Sequence, residues 1–221
     1  MPKVKQEYID KKREQIVDAA YRVCLRKPVE MVTISDVIEE AGLSQGGIYR
    51  YYKDLDEILA DMLIFMRKEY NIIDRLESIM ADENSTFEEI TYRMCDTLAE
   101  AMEKHLFDIQ KINFDLGVLT INEPDRGAKI VERAGHGGNM EYLEKVVIPK
   151  MIIGAVKSGL KPKGNPEEIG LYIASSLTGI EKFCILNTCY ANGKPTAKVE
   201  PRVLFKMYAK TIILLAGGNA E

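Results

Sequence analysis

The sequence predicts an all-helical (all-α) chain: a small N-terminal three-helix module, residues 1–54, on a larger helical body, residues 55–221. Three observations lead there. Apolar residues recur at helical spacing almost throughout, and no stretch shows the strict alternation of a strand. The breaks fall at proline, glycine and asparagine clusters that punctuate helices. Charge is also uneven. Residues 1–53 carry ten Lys/Arg against eight Asp/Glu, and the remainder carries 20 against 26, so only the N-terminal end is suited to an anionic partner.

The elements follow in order. Ile9, Ile16, Ala19, Ala20 and Val23 mark a helix over about 9–27, ended by Pro28, which disfavours helical backbone before it. Thr33 with Asp36 three residues on predicts a capped short helix, 34–41. Gly42 closes it, and Ser44 caps a second short helix, 45–52. Asp54 and Glu57 open a long helix expected to run through Leu55, Met62, Met66, Tyr70, Ile73 and Met80 to about Ala81. Ser85 and Glu88 are expected to cap the next, to about 104. Residues 106–119 read as helical. Glu123-Pro124 starts a segment that is interrupted at 135–138 and resumes to about Val156. Residues 158–165 form a loop. Asn165-Pro166-Glu167-Glu168 combines an N-cap, a first-turn proline and first-turn acids, opening a helix to about Tyr190. A loop, 191–201, precedes a last apolar helix, 202–216.

Composition excludes several classes. The chain has 221 residues, 46% hydrophobic and 29% charged, which is ordinary for a globular protein with its own core. No uncharged apolar stretch approaches the ~20 residues of a membrane helix, and the polar start MPKVKQEYIDKKREQ lacks a signal-peptide core. The expectation is a cytoplasmic protein with no membrane partner. Cys24, Cys95, Cys184 and Cys189 form no C-x-x-C pair, and the only histidines are His105 and His136. No metal site and no cofactor are expected, and the cysteines read as reduced core thiols. Tyr49 and Lys53 satisfy the Y-x-x-x-K of short-chain dehydrogenases, but no strand and glycine-rich loop precede them. Residues 134–138 lack the lysine and strand of a phosphate loop. With no Ser/His/Asp or Cys/His set in view, the chain is not expected to be an enzyme.

The two short helices flanking Gly42-Leu43-Ser44 have the spacing of a helix-turn-helix, whose second helix enters the major groove of DNA. Gly46 and Gly47 are each ~1 kcal/mol poorer helix formers than alanine, but their missing side chains permit close approach to a duplex. Gln45 and Arg50 can hydrogen-bond base edges. Thr33, Ser44, Tyr49, Tyr51 and Lys53 can contact phosphates. Ile48 and Tyr52 are expected to face inward with Val37, Ile38 and Leu43. Lys3, Lys5 and Lys11-Lys12-Arg13 read equally as a solvated tail or as an arm that adds DNA contacts.

Residues 33–58, TISDVIEEAGLSQGGIYRYYKDLDEI, resemble the signature of TetR-family regulators, approximately T-x-x-x-I-A-x-x-A-G-V-S-x-G-x-x-Y-x-Y-F-x-x-K-x-x-L. The likeness extends over roughly residues 10–60. Pro28, Cys24, Ile38 and Leu55 depart from the usual glycine, phenylalanine, alanine and lysine, touching local packing or one backbone contact. The resemblance implies an N-terminal DNA-binding domain and a C-terminal helical ligand-binding and dimerisation domain. It implies a transcription regulator, a repressor binding a palindromic double-stranded operator as a homodimer and released by a small-molecule effector. Small residues Ala174, Ser175, Ser176 and Gly179 among Ile173, Leu177, Ile180 and Phe183 place the dimer seam on 166–190 with 202–216. Met66, Tyr92, Asn113, Phe114 and Tyr142 are candidate effector-lining residues, Met66 for the adaptability of its thioether. The long helix from Asp54 is expected to link body and reading head like a pendulum.

Overall fold

The computed structural model describes residues 3–135, 137–190 and 199–220, and among these it holds helices and no strand. The chain separates into two compact units, Met1–Glu69 with Asp108–His136, and Tyr70–Phe107 with Gly137–Glu221. Compactness therefore does not follow the linear division at 54/55. The stretch 108–136, remote in sequence, belongs with the N-terminal helices.

The first unit contains α1 (Lys3–Arg26), α2 (Ile34–Ala41), α3 (Gln45–Tyr49), α4 (Leu55–Glu69), α7 (Lys111–Asn122) and α8 (Pro124–Ala134). Helix α1 buries Ile16, Ala19, Ala20, Val23 and Cys24, the stripe that its apolar period predicts. It ends before Pro28, and a single 3₁₀ turn, Val29–Met31, leads to α2. Ile48, Tyr52, Ile58, Leu59 and Met62 complete a core in which each is at most 1% exposed. Residues 3–26 are helix, and Lys11, Lys12 and Arg13 stand along it. Lys12 bonds Gln15, and Arg13 is drawn onto Asp61.

Helix α7 is fastened to α1 by a buried charge. The Lys111 ammonium donates to the Cys24 carbonyl at 3.0 Å and to Asp115 at 2.9 Å, with the two side chains 12% and 5% exposed. Cys24 lies in the last turn of α1, where carbonyls lack helical partners, so Lys111 serves as its cap. Burial pushes the Cys24 thiol up to about 12, and Cys95 likewise, which leaves both unreactive. Helix α8 then packs on α7 without clearance. A Cβ at Gly127 would stand 2.7 Å from the Thr120 Cα.

The helix expected from Asp54 to Ala81 is two helices. After α4 ends at Glu69, α5 (Ile73–Met80) starts anew. Asn71 Oδ1 accepts the Ile73 N–H at 2.9 Å, and Asn139, far along the chain, donates to the Tyr70 carbonyl and accepts the Ile72 N–H. These side-chain amides take the backbone groups that a continuing helix would use. The second unit comprises α5, α6 (Phe87–His105), α9 (Asn139–Tyr142), α10 (Ile148–Lys157), α11 (Pro166–Cys189) and α12 (Pro201–Ala216). Helix α6 begins one residue later than expected. Its capping box is Thr86 with Glu89, and Ser85 instead bonds Asp82. Two π turns, Leu106–Gln110 and Leu143–Val147, interrupt segments that the sequence reads as plain helix.

Helix α12 lies along α6, with Arg202 paired to Glu103 at 2.9 Å and Asp96 at 3.1 Å. The Tyr208 hydroxyl donates to the Ile173 carbonyl at 2.9 Å, tying α12 to α11. Asn165 caps α11 as expected. Most of the expected loop 191–201 lies outside the described residues. Helix α11 is apolar, with a mean hydropathy of 1.4 over its most apolar 18 residues, enough in length and composition for a membrane span, although the sequence offers no uncharged stretch of that length. Leu171, Tyr172, Phe183 and Leu186 on α11, with Val203, Met207 and Leu214 on α12, are exposed.

Removing Lys111 takes the paired ammonium from the buried Asp115 carboxylate. Lys111→Ala is expected to lower unfolding free energy by about 3–5 kcal/mol, measured by urea denaturation, whereas loss of an exposed pair such as Arg75–Glu100 shifts it by under about 1 kcal/mol.

Candidate nucleic-acid interface

Local hydrogen bonds build the helix-turn-helix. Thr33 Oγ1 accepts the Asp36 N–H at 3.2 Å, and Asp36 Oδ2 accepts the Thr33 N–H at 2.8 Å, closing the expected box at the start of α2. Gly42 ends α2 at φ 63° and ψ 31°, left-handed backbone that glycine adopts without steric cost. Ser44 Oγ then accepts the Gly47 N–H at 3.1 Å and opens α3. Regular α3 ends at Tyr49 rather than 52. A tighter turn follows, in which the Tyr51 and Tyr52 N–H groups donate to the Ile48 carbonyl at 2.9 and 3.1 Å.

This arrangement turns Ser44, Gln45, Gly46, Tyr49, Arg50 and Lys53 outward, with Gly47 and Tyr51 half-buried. Ile48 and Val37 are fully buried, Tyr52 nearly so, and Ile38 and Leu43 half-buried, as the inward set requires. Thr33 is exposed, but its hydroxyl also donates to Asp36 at 2.8 Å, so that proton is committed to the cap. Among the described residues Ser44 uses only an acceptor lone pair and keeps its proton to give. The two glycines differ. A Cβ on Gly47 would meet Ser44 Oγ at 3.2 Å, so Gly47 makes room for the cap, whereas around Gly46 nothing lies within 4 Å. The fold itself gives Gly46 no reason to lack a side chain.

Behind residues 44–53 lies a charge network. Tyr52 donates its hydroxyl to Asp61 at 2.9 Å, and the Arg13 guanidinium lies over the Tyr52 ring at 4.8 Å while pairing with Asp61 at 2.6 Å. Helix α8 presents Arg126, Lys129 and Arg133 to the start of α4. Arg126 pairs with Asp56 at 2.6 Å, Lys129 with Asp54 at 2.7 Å, and Arg133 with Glu57 at 3.2 Å and Asp61 at 3.5 Å. Sequence reasoning missed these residues. The signal available was their i, i+3, i+7 spacing, which sets three cations on one helix face.

The candidate effector residues divide between the two units. Met66, Asn113 and Phe114 belong to the first unit, where Met66 is core at 1% exposure and Asn113 is exposed. Tyr92 and Tyr142 belong to the second, and Tyr142 gives its hydroxyl to Glu77 at 2.6 Å. The second unit carries open hollows. One of about 410 Å³ is walled by Met80, Phe87, Ile90 and Met151 beside Glu77 and Lys150. Another, about 420 Å³, lies between α6 and α12 and is lined in part by Tyr92, Cys95 and Phe205.

Residues 16–62 match a family model described as bacterial regulatory proteins, tetR family. The chain is 32% identical over 112 residues to an uncharacterised HTH-type transcriptional regulator, YfiR, of Bacillus subtilis, covering 48% of this chain and 55% of that one. The match thus spans about half the length of that curated relative. Among solved structures, the fatty acid degradation regulator FadR from Bacillus halodurans superposes with a TM-score of 0.61 at 17% identity, over 91% of this chain and 94% of that one. A multidrug binding protein, EbrR, complexed with imidazole gives 0.54 at 15% identity, over 89% and 94%. At such identities the structural likeness is one of fold.

The Asp36 cap has a measurable titration. Lys27, 2.8 Å from both carboxylate oxygens, and then the Thr33 donors hold Asp36 down to about 2, below its ordinary 3.8. A carboxylate depressed in the folded state stabilises above its ordinary value, and that contribution is lost as pH falls toward 2. Carbon-detected NMR is expected to place the Asp36 midpoint near 2, and Lys27→Ala to move it upward.

Proposed function

Because this chain belongs to the TetR family of transcriptional regulators, we propose that it acts in the cytoplasm as a homodimeric repressor. It binds a palindromic operator through residues 44–53 and is released by a small-molecule effector. The observation that carries the DNA contact is Gly46. It stands in the first turn of α3, exposed, with open space where a Cβ would go, and at a cost of ~1 kcal/mol in helix propensity. An approaching duplex supplies the reason the fold does not. Arg50 and Lys53 lie exposed beside it, with no ion pair among the described residues. Gln45 and Arg50 take base edges, and Ser44, Tyr49, Tyr51 and Lys53 the phosphates.

Two copies are needed because a single helix-turn-helix touches few bases and a two-fold dimer reads two half-sites. The exposed apolar residues of α11 and α12 supply the face. Tyr172, Ser176, Gly179, Phe183 and Leu186 fall at three- and four-residue intervals along one side of α11, the spacing by which helices pack on each other. Effector control is supported by the family resemblance and by a structural neighbour that holds imidazole. The hollows of the second unit are where an effector has room to enter.

The deciding experiment is selection of bound sequences from random duplex DNA. Recovery of a palindrome is the expected result. Failure at every salt concentration sinks the proposal in favour of a protein-interaction module. Gly46→Ala is expected to leave thermal stability unchanged or raised by up to about 1 kcal/mol while weakening operator binding. Arg50→Ala is expected to cost about 1–3 kcal/mol and relax preference at one position. A loss equal for all sequences would instead make Arg50 a phosphate contact.

The dimer has its own test. Leu186→Glu with Met207→Glu is expected to yield monomers by sedimentation equilibrium, folded by circular dichroism and unable to hold the full palindrome. Dimers persisting in that variant would refute the α11–α12 seam.

A further inference from the structure

Resting on the assignment of residues 44–53 to DNA reading, we propose that the basic row of α8 is a positioning element for that segment. Arg126, Lys129 and Arg133 fix how it is presented without touching DNA themselves.

The geometry begins with a conflict of charge. Four carboxylates, Asp54, Asp56, Glu57 and Asp61, fall within eight residues of chain directly after Lys53. Beside a surface that must accept a polyanion they would repel phosphate and one another. Helix α8 answers them pair by pair, at 2.6 Å for Arg126–Asp56, 2.7 Å for Lys129–Asp54 and 3.2 Å for Arg133–Glu57. Arg126 and Asp56 are 22% and 16% exposed, so this pair is screened less than an open surface pair such as Lys129–Asp54.

The carboxylates also hold the reading segment by its backbone. Glu57 Oε2 accepts the Lys53 N–H at 3.0 Å while its other oxygen takes Arg133. Asp61 accepts the Tyr52 hydroxyl at 2.9 Å while its other oxygen faces Arg133 at 3.5 Å. Asp54 caps α4 through the Glu57 N–H at 3.0 Å while gripping Lys129. Arg133 therefore reaches Lys53 through one carboxylate and Tyr52 through another. Helix α8 is itself seated by the methyl-free approach of Gly127 to Thr120. A displacement of α8 passes to the end of the reading segment through one hydrogen-bonded link, by Glu57, and one that joins the Arg133–Asp61 ion pair to the Tyr52 hydrogen bond.

A charge swap tests this. Arg126→Glu, Asp56→Arg and the double exchange are compared with the parent by fluorescence anisotropy. Binding is measured to the selected palindrome and to an unrelated duplex at the same salt. The readout is the ratio of the two affinities, which a mere change in net charge does not move. Each single exchange is expected to reduce that ratio by about 3- to 30-fold, and the double to restore it to within about twofold, as coupled neighbours do. Arg133→Gln, which removes the charge but keeps an amide donor, is expected to reduce the ratio while the protein stays folded by circular dichroism. Singles with the parental ratio, or a folded double no better than the worse single, would overturn the positioning role. A parent that prefers no sequence defeats the DNA-reading assignment and this inference with it. A selective parent with indifferent variants defeats this inference alone.

Discussion

Asp61 is the point on which the N-terminal unit turns. One carboxylate on α4 accepts the Tyr52 hydroxyl, pairs with Arg13 of α1 and faces Arg133 of α8. Arg13 in turn lies over the Tyr52 ring. Three helices and the end of the reading segment meet at these atoms, with the Asp61 side chain only 20% exposed. Such a cluster is costly to desolvate and becomes costly again if one member is lost. It contributes registry rather than bulk stability: alternative packings of α1, α4 and α8 would leave a half-buried charge without its partner.

That constraint explains how so short a reading helix stays formed. Helix α3 has five residues, two of them glycine, far below the ~12–15 at which isolated helices become stable in water. Ser44 caps its start, and Ile48 and Tyr52 anchor its inner side at 0% and 1% exposure. Tyr52 is fixed at both ends, its ring in the core and under Arg13, its hydroxyl on Asp61. The outward residues need contribute nothing to folding and are left free for a partner.

Capping was legible in the sequence because its partners lie within three residues. Thr33 with Asp36, Gly42, and Ser44 with Gly47 all stand where the pattern put them, and so does the inward pair Ile48 and Tyr52. Two S/T-x-x-E registers overlap at Ser85-Glu88 and Thr86-Glu89, and local chemistry ranks them equally. Asp82 decides between them by taking Ser85. The break at 70–72 was invisible because the apolar period runs straight across it, and the group that stabilises it, Asn139, is some seventy residues away. The partner of Arg13 was hidden for the same reason. In the sequence Arg13 ends a basic run, while in the fold it is bound to a residue 48 positions on.

The effector residues were the least legible, and the cause is general. A cavity is made by what neighbouring helices fail to fill, so methionines and aromatics on one helix say little about it until their neighbours are known. Met66 fills space completely, whereas Met80 and Met151 wall a hollow, and nothing in their own sequence surroundings separates them. The outward residues of α3, proposed to face DNA, are legible for the opposite reason. They are defined by a local backbone shape, and a glycine that the fold does not require, as at Gly46, points outward from the chain to what it is built to approach.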